Sequence, residues 1–314
     1  MKKVLSLALA VIMALTLVAC SSPSAPPAAD KKTYHIGYSV ATFTQALNAQ
    51  TAVLFEAACK ERGYEFTVTD GEMDTTKQLE DIDAIIKKGV DALLILPVDG
   101  VAVAPGIEAA HAAGIPTFLV LRDAPNSKDL YTQFSGTDDI ELGTIAGNWI
   151  AEATGGEGTI VYITGTPGIS TAENRTKGFH SVVDNHPGLT VIEQAGNYNR
   201  ALAMEVFEAI LKANSDIKAV WCANDEMAGG VCQAIDAAKR EGILVGGANL
   251  QKDAFERLLS GEQAIDITTP PQMVIAALDS AIAVLEGGTV DKVHYYPLDL
   301  VTKENASQFE SQIY

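Results

Sequence analysis

From Tyr34 onward, short apolar runs alternate with longer stretches in which apolar residues recur every three or four positions. Runs of the first kind suit strands buried on both faces, and those of the second suit helices lying on a sheet. In the first half the pattern predicts strands at His35–Val40, Glu65–Thr69, Ala92–Leu96 and Thr117–Leu121. Helices are predicted at Gln45–Arg62, Thr75–Lys88 and Val101–Ala113, stopped by Gly63, Gly89 and Gly114. Glycine after a helix accepts the left-handed conformation that closes the last turn.

The same alternation restarts after Asp138. Helices are expected at Ile140–Ala153, Thr171–Asn185, Ala201–Ala213, Asp225–Glu241, Lys252–Leu259 and Gln272–Leu285. Strands fall at Thr159–Thr164, Thr190–Gln194, Lys218–Cys222, Leu244–Gly247 and Ala264–Thr268, with extended chain at Val293–Val301. Two segments share a signature, Gly89-Val-Asp-Ala-Leu-Leu-Ile-Leu-Pro-Val-Asp99 and Asp216-Ile-Lys-Ala-Val-Trp-Cys-Ala-Asn-Asp225. Each is an apolar strand whose carboxyl end delivers a polar turn, the place where open α/β sheets gather ligands. The expected fold is α/β: two Rossmann-like lobes, each a parallel sheet flanked by helices, with a small-molecule cleft between them.

The first twenty residues read differently. Lys2-Lys3 precede an apolar run from Val4 to Val18, short for a membrane span and shaped like the core of a secretion signal. The run closes on Leu17-Val18-Ala19-Cys20, which resembles a bacterial lipobox. That resemblance implies cleavage after residue 19 and a lipid on Cys20; an ordinary signal peptide or a buried apolar helix are the plainer alternatives. Residues 20–33 are then a Ser/Pro/Ala tether with nothing to pack. Export and anchoring to the outer face of a membrane follow as expectations.

Charge and chemistry narrow the function. The chain of 314 residues carries 22 basic and 40 acidic side chains, a formal −18. Such a surface repels phosphate backbones, and no basic stripe overrides it, so nucleic acid is excluded as a partner. Gly-x-Ser-x-Gly, His-Glu-x-x-His and the phosphate loop Gly-x-x-x-x-Gly-Lys-Ser/Thr are all missing. Gly155-Gly-Glu-Gly158 lies between a helix and a strand, the reverse of a dinucleotide fingerprint, and reads as a helix-ending turn. Five scattered histidines and no paired acid and base give no catalytic residue, metal site or cofactor. With Cys20 lipidated, Cys59, Cys222 and Cys232 remain, at no metal-like spacing. Buried thiols suit them, and a Cys222–Cys232 bridge is the alternative.

Several motifs resemble one family. Pro97-x-Asp99, Gly114-Ile-Pro116, Thr137-Asp138, Leu142-Gly-x-x-Ala-Gly147 and Arg175-x-x-Gly-Phe179 lead to Ala219-Val-x-x-Ala-Asn-Asp-Glu-Met-Ala228 and Tyr296-Pro297. From about Ile36 to Leu300 the chain is similar to the type I periplasmic sugar-binding proteins, the ribose-, galactose- and autoinducer-2-binding group that serves ABC importers. LacI-type regulators share the Asn224–Ala228 motif but carry a DNA-binding segment where this chain has a secretion signal. The resemblance implies three hinge crossings near Thr137, Thr269 and Pro297. It implies an N-lobe of 34–137 plus 270–297 and a C-lobe of 138–269 plus 298–314, closing on ligand. A monomer that docks on the permease's membrane subunits is expected.

The family's pocket positions can then be carried over. Where pyranose binders place stacking rings, this chain has Leu47 and Asn48; Phe43 could supply a ring, or simply pack, while Gln45 and Asn48 offer amides. Where the family has Asp-Arg after the fourth strand, the chain has Leu121-Arg122-Asp123, so the arginine stays and the aspartate is displaced. Glu173 stands at a frequent arginine position, and Arg175 reads as support for the fold. Tyr198, Asn224, Asn249 and Thr269 complete the expected ligand contacts, the last two replacing Asp and Gln or Asn. This slot, poor in rings and mostly neutral, suits a small polyhydroxylated ligand, a sugar or polyol. A sensory receptor for an autoinducer-2-like, nucleoside or amine ligand, signalling to a chemoreceptor or kinase without import, is the alternative.

Overall fold

A computed structural model describes residues 32–314. The leader, Cys20 and nearly all of the tether lie outside the described residues. Two six-stranded sheets organise the rest.

The first sheet contains β1 (His35–Val40), β2 (Glu65–Asp70), β3 (Ala92–Ile95), β4 (Thr117–Val120), β5 (Gln133–Gly136) and, far along the chain, β11 (Val293–Tyr295), in the order β11-β5-β4-β3-β1-β2. All its pairings are parallel, with Ile36 opposite Phe66 on one side and Ala92 on the other. Helices α1 (Ala46–Arg62), α2 (Thr75–Lys87) and α3 (Ala104–Ala112) connect the first four strands. Strand β3 shows why both faces must be covered. Ala92 and Leu94 face one core, with Phe55 of α1, whereas Leu93 and Ile95 face another, with Ile82, Ile85 and Ile107 of α2 and α3. A run without polar residues can alternate in this way only when apolar layers lie above and below it.

The second sheet contains β6 (Glu157–Thr164), β7 (Gly188–Ala195), β8 (Ile217–Cys222), β9 (Leu244–Asn249), β10 (Ile265–Thr268) and β12 (Leu300–Thr302), in the order β12-β10-β9-β8-β6-β7. Five run parallel, and β12 closes the edge antiparallel to β10. Helices α4 (Asp139–Thr154), α5 (Ser170–Val183), α6 (Arg200–Ala213), α7 (Asp225–Ala237) and α8 (Lys252–Ser260) cover it. Helix α9 (Met273–Leu285) returns to the first sheet, where Met273, Val274, Ala277 and Leu278 join the core of β1 and β3. The chain therefore crosses between the sheets three times: between β5 and α4, between β10 and α9, and between β11 and β12.

The periodicity anticipated this α/β plan, with three corrections. Strand β5 was not predicted, because Gln-Phe-Ser-Gly is neither an apolar run nor a clean alternation. Helix α7 stops at Ala237, four residues short of the expected end, where Lys239 turns into the left-handed region. The extended segment Val293–Val301 is two strands serving different sheets. Cys59, Cys222 and Cys232 are free, buried thiols; burial pushes Cys59 up to about 12 and Cys232 up to about 11. Among the described residues no helix is long and apolar enough to cross a membrane.

Candidate functional site

The carboxyl ends of the two sheets face a common cavity, about 470 Å³ of atom-free space that includes some open to solvent. From the first sheet, the turn after β1 brings Gln45, Leu47 and Asn48, and the turn after β4 brings Leu121 and Arg122. From the second, α5 brings Thr171 and Arg175, the loop after β7 Tyr198, the start of α7 Asn224 and Glu226, and the end of β9 Asn249 and Gln251. Three of these residues hold positive φ without being glycine: Leu121 (65°), Tyr198 (56°) and Asn249 (126°). Such backbone costs on the order of 1–3 kcal/mol each and persists where surrounding structure over-determines it. Leu121 and Asn249 stand at the ends of β4 and β9 and Tyr198 in the loop after β7, and all three line the cavity.

Arg122 is 4% exposed. Its Nη1 donates to the carbonyls of Pro97 and Val98, the latter at 2.6 Å, and its Nε to Thr171 Oγ1 at 3.4 Å. The last bond joins the first sheet's wall to the second's. Burial pulls the guanidinium downward from its usual range, against the fields of Tyr198, Asp139 and Asp99. Arg175 lies one turn after Thr171 on the same face of α5, donating from Nε to Asp139 Oδ1 at 2.8 Å and from Nη1 to the carbonyl of Ala223. Burial opposes its charge, but Asp139 and Tyr198 hold it above the ordinary arginine value. Asp139 itself is pushed up by burial, against the two arginines.

Helices α4 and α5 approach closely enough for this pair because glycines line their contact. A Cβ on Gly143 would sit 2.0 Å from the Arg175 carbonyl oxygen, and one on Gly178 would sit 2.0 Å from that of Ile140. The Tyr198 ring likewise occupies the space a side chain on Gly165 would need. Its hydroxyl is buried without a hydrogen-bond partner, and burial pushes its pKa up, so it stays neutral.

The amides are partly committed. Asn224 is the N-cap of α7, its Oδ1 accepting from Met227 N at 3.0 Å, which leaves Nδ2 for a ligand. Asn249 Nδ2 donates to Thr269 Oγ1. Asn48 Nδ2 donates to Gln45 Oε1 at 3.3 Å. Glu226 is held by Arg200 Nε at 3.0 Å. Beneath Asn249, the buried carboxyls of Asp225 and Asp266 accept from the backbone N–H groups of Gln251 and Leu250, at 2.8 and 3.0 Å.

Six of the nine expected contacts thus meet in the cavity: Gln45, Asn48, Arg122, Tyr198, Asn224 and Asn249. Three do not. Phe43 is 42% exposed and outside the lining, since the chain turns before α1 and presents it to solvent. Glu173 is exposed, beside Lys177, His180 and Glu193. The reason is helical geometry: two residues past Thr171 is more than half a turn away, whereas Arg175, at four, returns to the cavity face. Thr269 is buried behind Asn249 and orients it from outside the lining. The sequence reading missed Thr171, Glu226 and Gln251 as lining residues, and gave Arg175 a purely structural part. The i, i+4 pairing of Thr171 with Arg175 was the available signal for two of these.

Two facing α/β sheets, three crossings and a polar cavity at the strands' carboxyl ends agree with what comparison of the sequence shows. The profile of the periplasmic binding protein domain matches residues 36–289. The chain belongs to that family. The ribose import binding protein of Bacillus subtilis (strain 168) is 31% identical over 312 residues, covering 97% of this chain and 100% of that protein. The periplasmic binding protein of the arabinose ABC transporter from Shewanella sp. ANA-3, solved with α- and β-L-arabinofuranose, superposes with a TM-score of 0.84. It is 28% identical and covers 88% of this chain and 95% of its own. The fructose-binding periplasmic domain of a hybrid two-component system is 26% identical with a TM-score of 0.82, covering 89% of this chain and 94% of that one. Members of the periplasmic binding protein family are binding proteins.

Proposed function

We propose that this chain is the extracytoplasmic solute-binding component of an ABC importer and captures a small polyhydroxylated ligand, a sugar or polyol. The observation that carries this reading is the cavity walled by both sheets, in which buried amides and two guanidiniums offer donors and acceptors to a ligand's hydroxyls. A polyol that matches them replaces the water each group loses; a ligand that leaves one unpaired forfeits about 1–3 kcal/mol. The import of ribose and of arabinose by the relatives above supports the same class. Lobes of 34–137 plus 270–297 and 138–269 plus 298–314 would open to admit ligand and close on it, with Arg122 and Thr171 meeting across the closed cleft. A lipid on Cys20 would keep the receptor at the membrane's outer face, and the closed monomer would dock on the permease.

Melting the lipid-free protein from Thr33 to Tyr314 against pentoses, hexoses, polyols, nucleosides and amines tests the ligand class. Ligand at 1,000 times its Kd adds about 4 kcal/mol, a rise of several degrees in Tm. A selective rise with a sugar or polyol is expected; a rise only with nucleosides or amines removes the carbohydrate. The similarity to a two-component sensor's binding domain favours a second reading, occupancy reported to a membrane kinase without import. Uptake of labelled ligand by a deletion strain separates the two, since unimpaired uptake excludes the importer.

A further inference from the structure

Resting on the reading that the two lobes close on ligand, we infer that Tyr314 is a positioning residue. It straps the second lobe to the first and backs Gln251, which lines the cavity.

The segment after β12 belongs to the second lobe along nearly its whole length. Asn305 fastens its start, donating from Nδ2 to the Leu300 carbonyl at 3.0 Å and accepting from Thr302 N at 2.8 Å. Two short 3-10 turns follow, Ala306–Gln308 and Glu310–Gln312. Ala306 is buried with Leu250, Phe255, Leu258 and Val301, and Phe309 and Ile313 pack on that cluster. At the far end the Tyr314 carbonyl accepts from Lys252 N, in the first turn of α8, at 3.0 Å.

The side chain of Tyr314 leaves this lobe. Its ring packs against the core of the first sheet, which holds Tyr38, Phe55, Leu94 and Met273. One residue thus has its backbone tied to the second lobe and its ring on the first. The hydroxyl is sealed without a hydrogen-bond partner, beside the Gln251 side chain and in the field of Asp225, Asp266 and Glu226. Gln251 lines the cavity and its N–H is held by Asp225, whereas Tyr314 is outside the lining.

Arg122 and Thr171 join the walls through one hydrogen bond across the cavity. Tyr314 joins the lobes through apolar area. Rotating them apart would draw the ring off the first core and return that area to water, which disfavours the open form. The same rotation would remove the support behind Gln251. Affinity scales with the fraction of molecules in the binding-competent form. A contact confined to the closed arrangement therefore strengthens binding without touching ligand.

Small-angle scattering and calorimetry on the lipid-free chain test this, with D-ribose, L-arabinose, D-allose and myo-inositol as probes. Tyr314→Ala should enlarge the radius of gyration of the unliganded protein. It should also weaken binding of any probe the unaltered protein takes by about ten-fold. Tyr314→Phe keeps the ring and should restore both values. Tyr314→Leu keeps part of the apolar area and should fall between them; it decides by the same readouts if the alanine variant fails to fold. Lower stability in urea with radius and affinity unchanged would place Tyr314 in the packing of the second lobe alone and overturn the inference. The closure reading fails separately, if the unaltered protein shows no compaction with a bound probe. If no probe binds, the unliganded radii decide: a larger radius in the alanine variant supports the strap, and an equal one overturns it.

Discussion

Arg122 Nε and Thr171 Oγ1 lie 3.4 Å apart, one at the end of β4 in the first sheet and the other in the first turn of α5 over the second. This contact spans the cavity, so it can form only when the two walls are close. A hydrogen bond of this kind is worth about 0.5–1.5 kcal/mol net. Replacing Thr171 with Val keeps the shape and removes the acceptor. Ligand affinity should fall about three- to ten-fold by calorimetry, and small-angle scattering should show the unliganded variant more open. An unchanged affinity would mean the contact contributes nothing to closure.

Asn224 performs two tasks that substitution can separate. Its Oδ1 caps α7, and the residue lines the cavity. Asn224→Asp retains a cap and should keep the Tm of unliganded protein within a degree or two, while weakening binding through loss of the amide donor. Asn224→Ala should lose about 1 kcal/mol of stability in addition. Equal Tm losses in both variants would assign Asn224 to structure alone.

Arg175 reaches the cavity only because α4 and α5 touch backbone to backbone at Gly143 and Gly178. Gly143→Ala places a methyl 2.0 Å from the Arg175 carbonyl oxygen, and the helices must separate. Denaturant unfolding should register a loss of about 1–3 kcal/mol. Ligand affinity should fall as well, because Thr171 and Arg175 move with α5. A variant that lost stability but kept full affinity would argue that these two side chains do not touch ligand.

Glu173→Arg should alter neither property, being a substitution on the exposed face of α5. Surface changes of this sort stay within about 0.5 kcal/mol. A several-fold change in affinity would return Glu173 to the ligand's surroundings.

The buried pair Asp225 and Asp266 should make stability depend on pH. Burial is the first cause for both, raising Asp266 to about 6 and Asp225 well above the usual carboxylate range, with each group's position also set by the other. A carboxyl raised on folding binds protons more tightly in the folded chain. Its contribution is therefore full below the unfolded value near 4 and is lost as pH rises through the folded value. From pH 4.5 to 7.5 the pair should cost the wild-type protein on the order of 1–3 kcal/mol. Asp225→Asn should flatten that slope in urea unfolding measured across the range; parallel profiles would exclude the pair as its source.

Much of this architecture was legible along the chain. Leu93 and Leu94 are adjacent and equally apolar, and a run with no polar face can only be a strand between two covered surfaces. The α/β plan and most elements followed from that local rule. Strand β5 escaped because Gln133 and Ser135 are buried by hydrogen bonds to each other and to Asp291 rather than by apolar character. Arg122, Asn224 and Tyr198 were reached through the resemblance to the family, and the structure places all three in the lining of the cavity. The same resemblance names Glu173 and leaves Arg175 to the fold, whereas the turn of α5 puts Arg175 on the cavity and Glu173 outside it, because position in a motif does not state which way a helix is turned.

The sequence by itself determined the class of fold, and its motifs, through their resemblance to the family, named the polar positions that the structure gathers at the cavity. The fold class depends on periods of two and 3.6, which each segment carries independently of its partners. Only the tertiary structure decided that Arg122 lies against Thr171, that Asp139 serves two guanidiniums and that Thr269 stands behind Asn249. Those relations join residues from 17 to 49 positions apart, and they exist because the close packing of α4 on α5 and the facing of the two sheets fix where each side chain points.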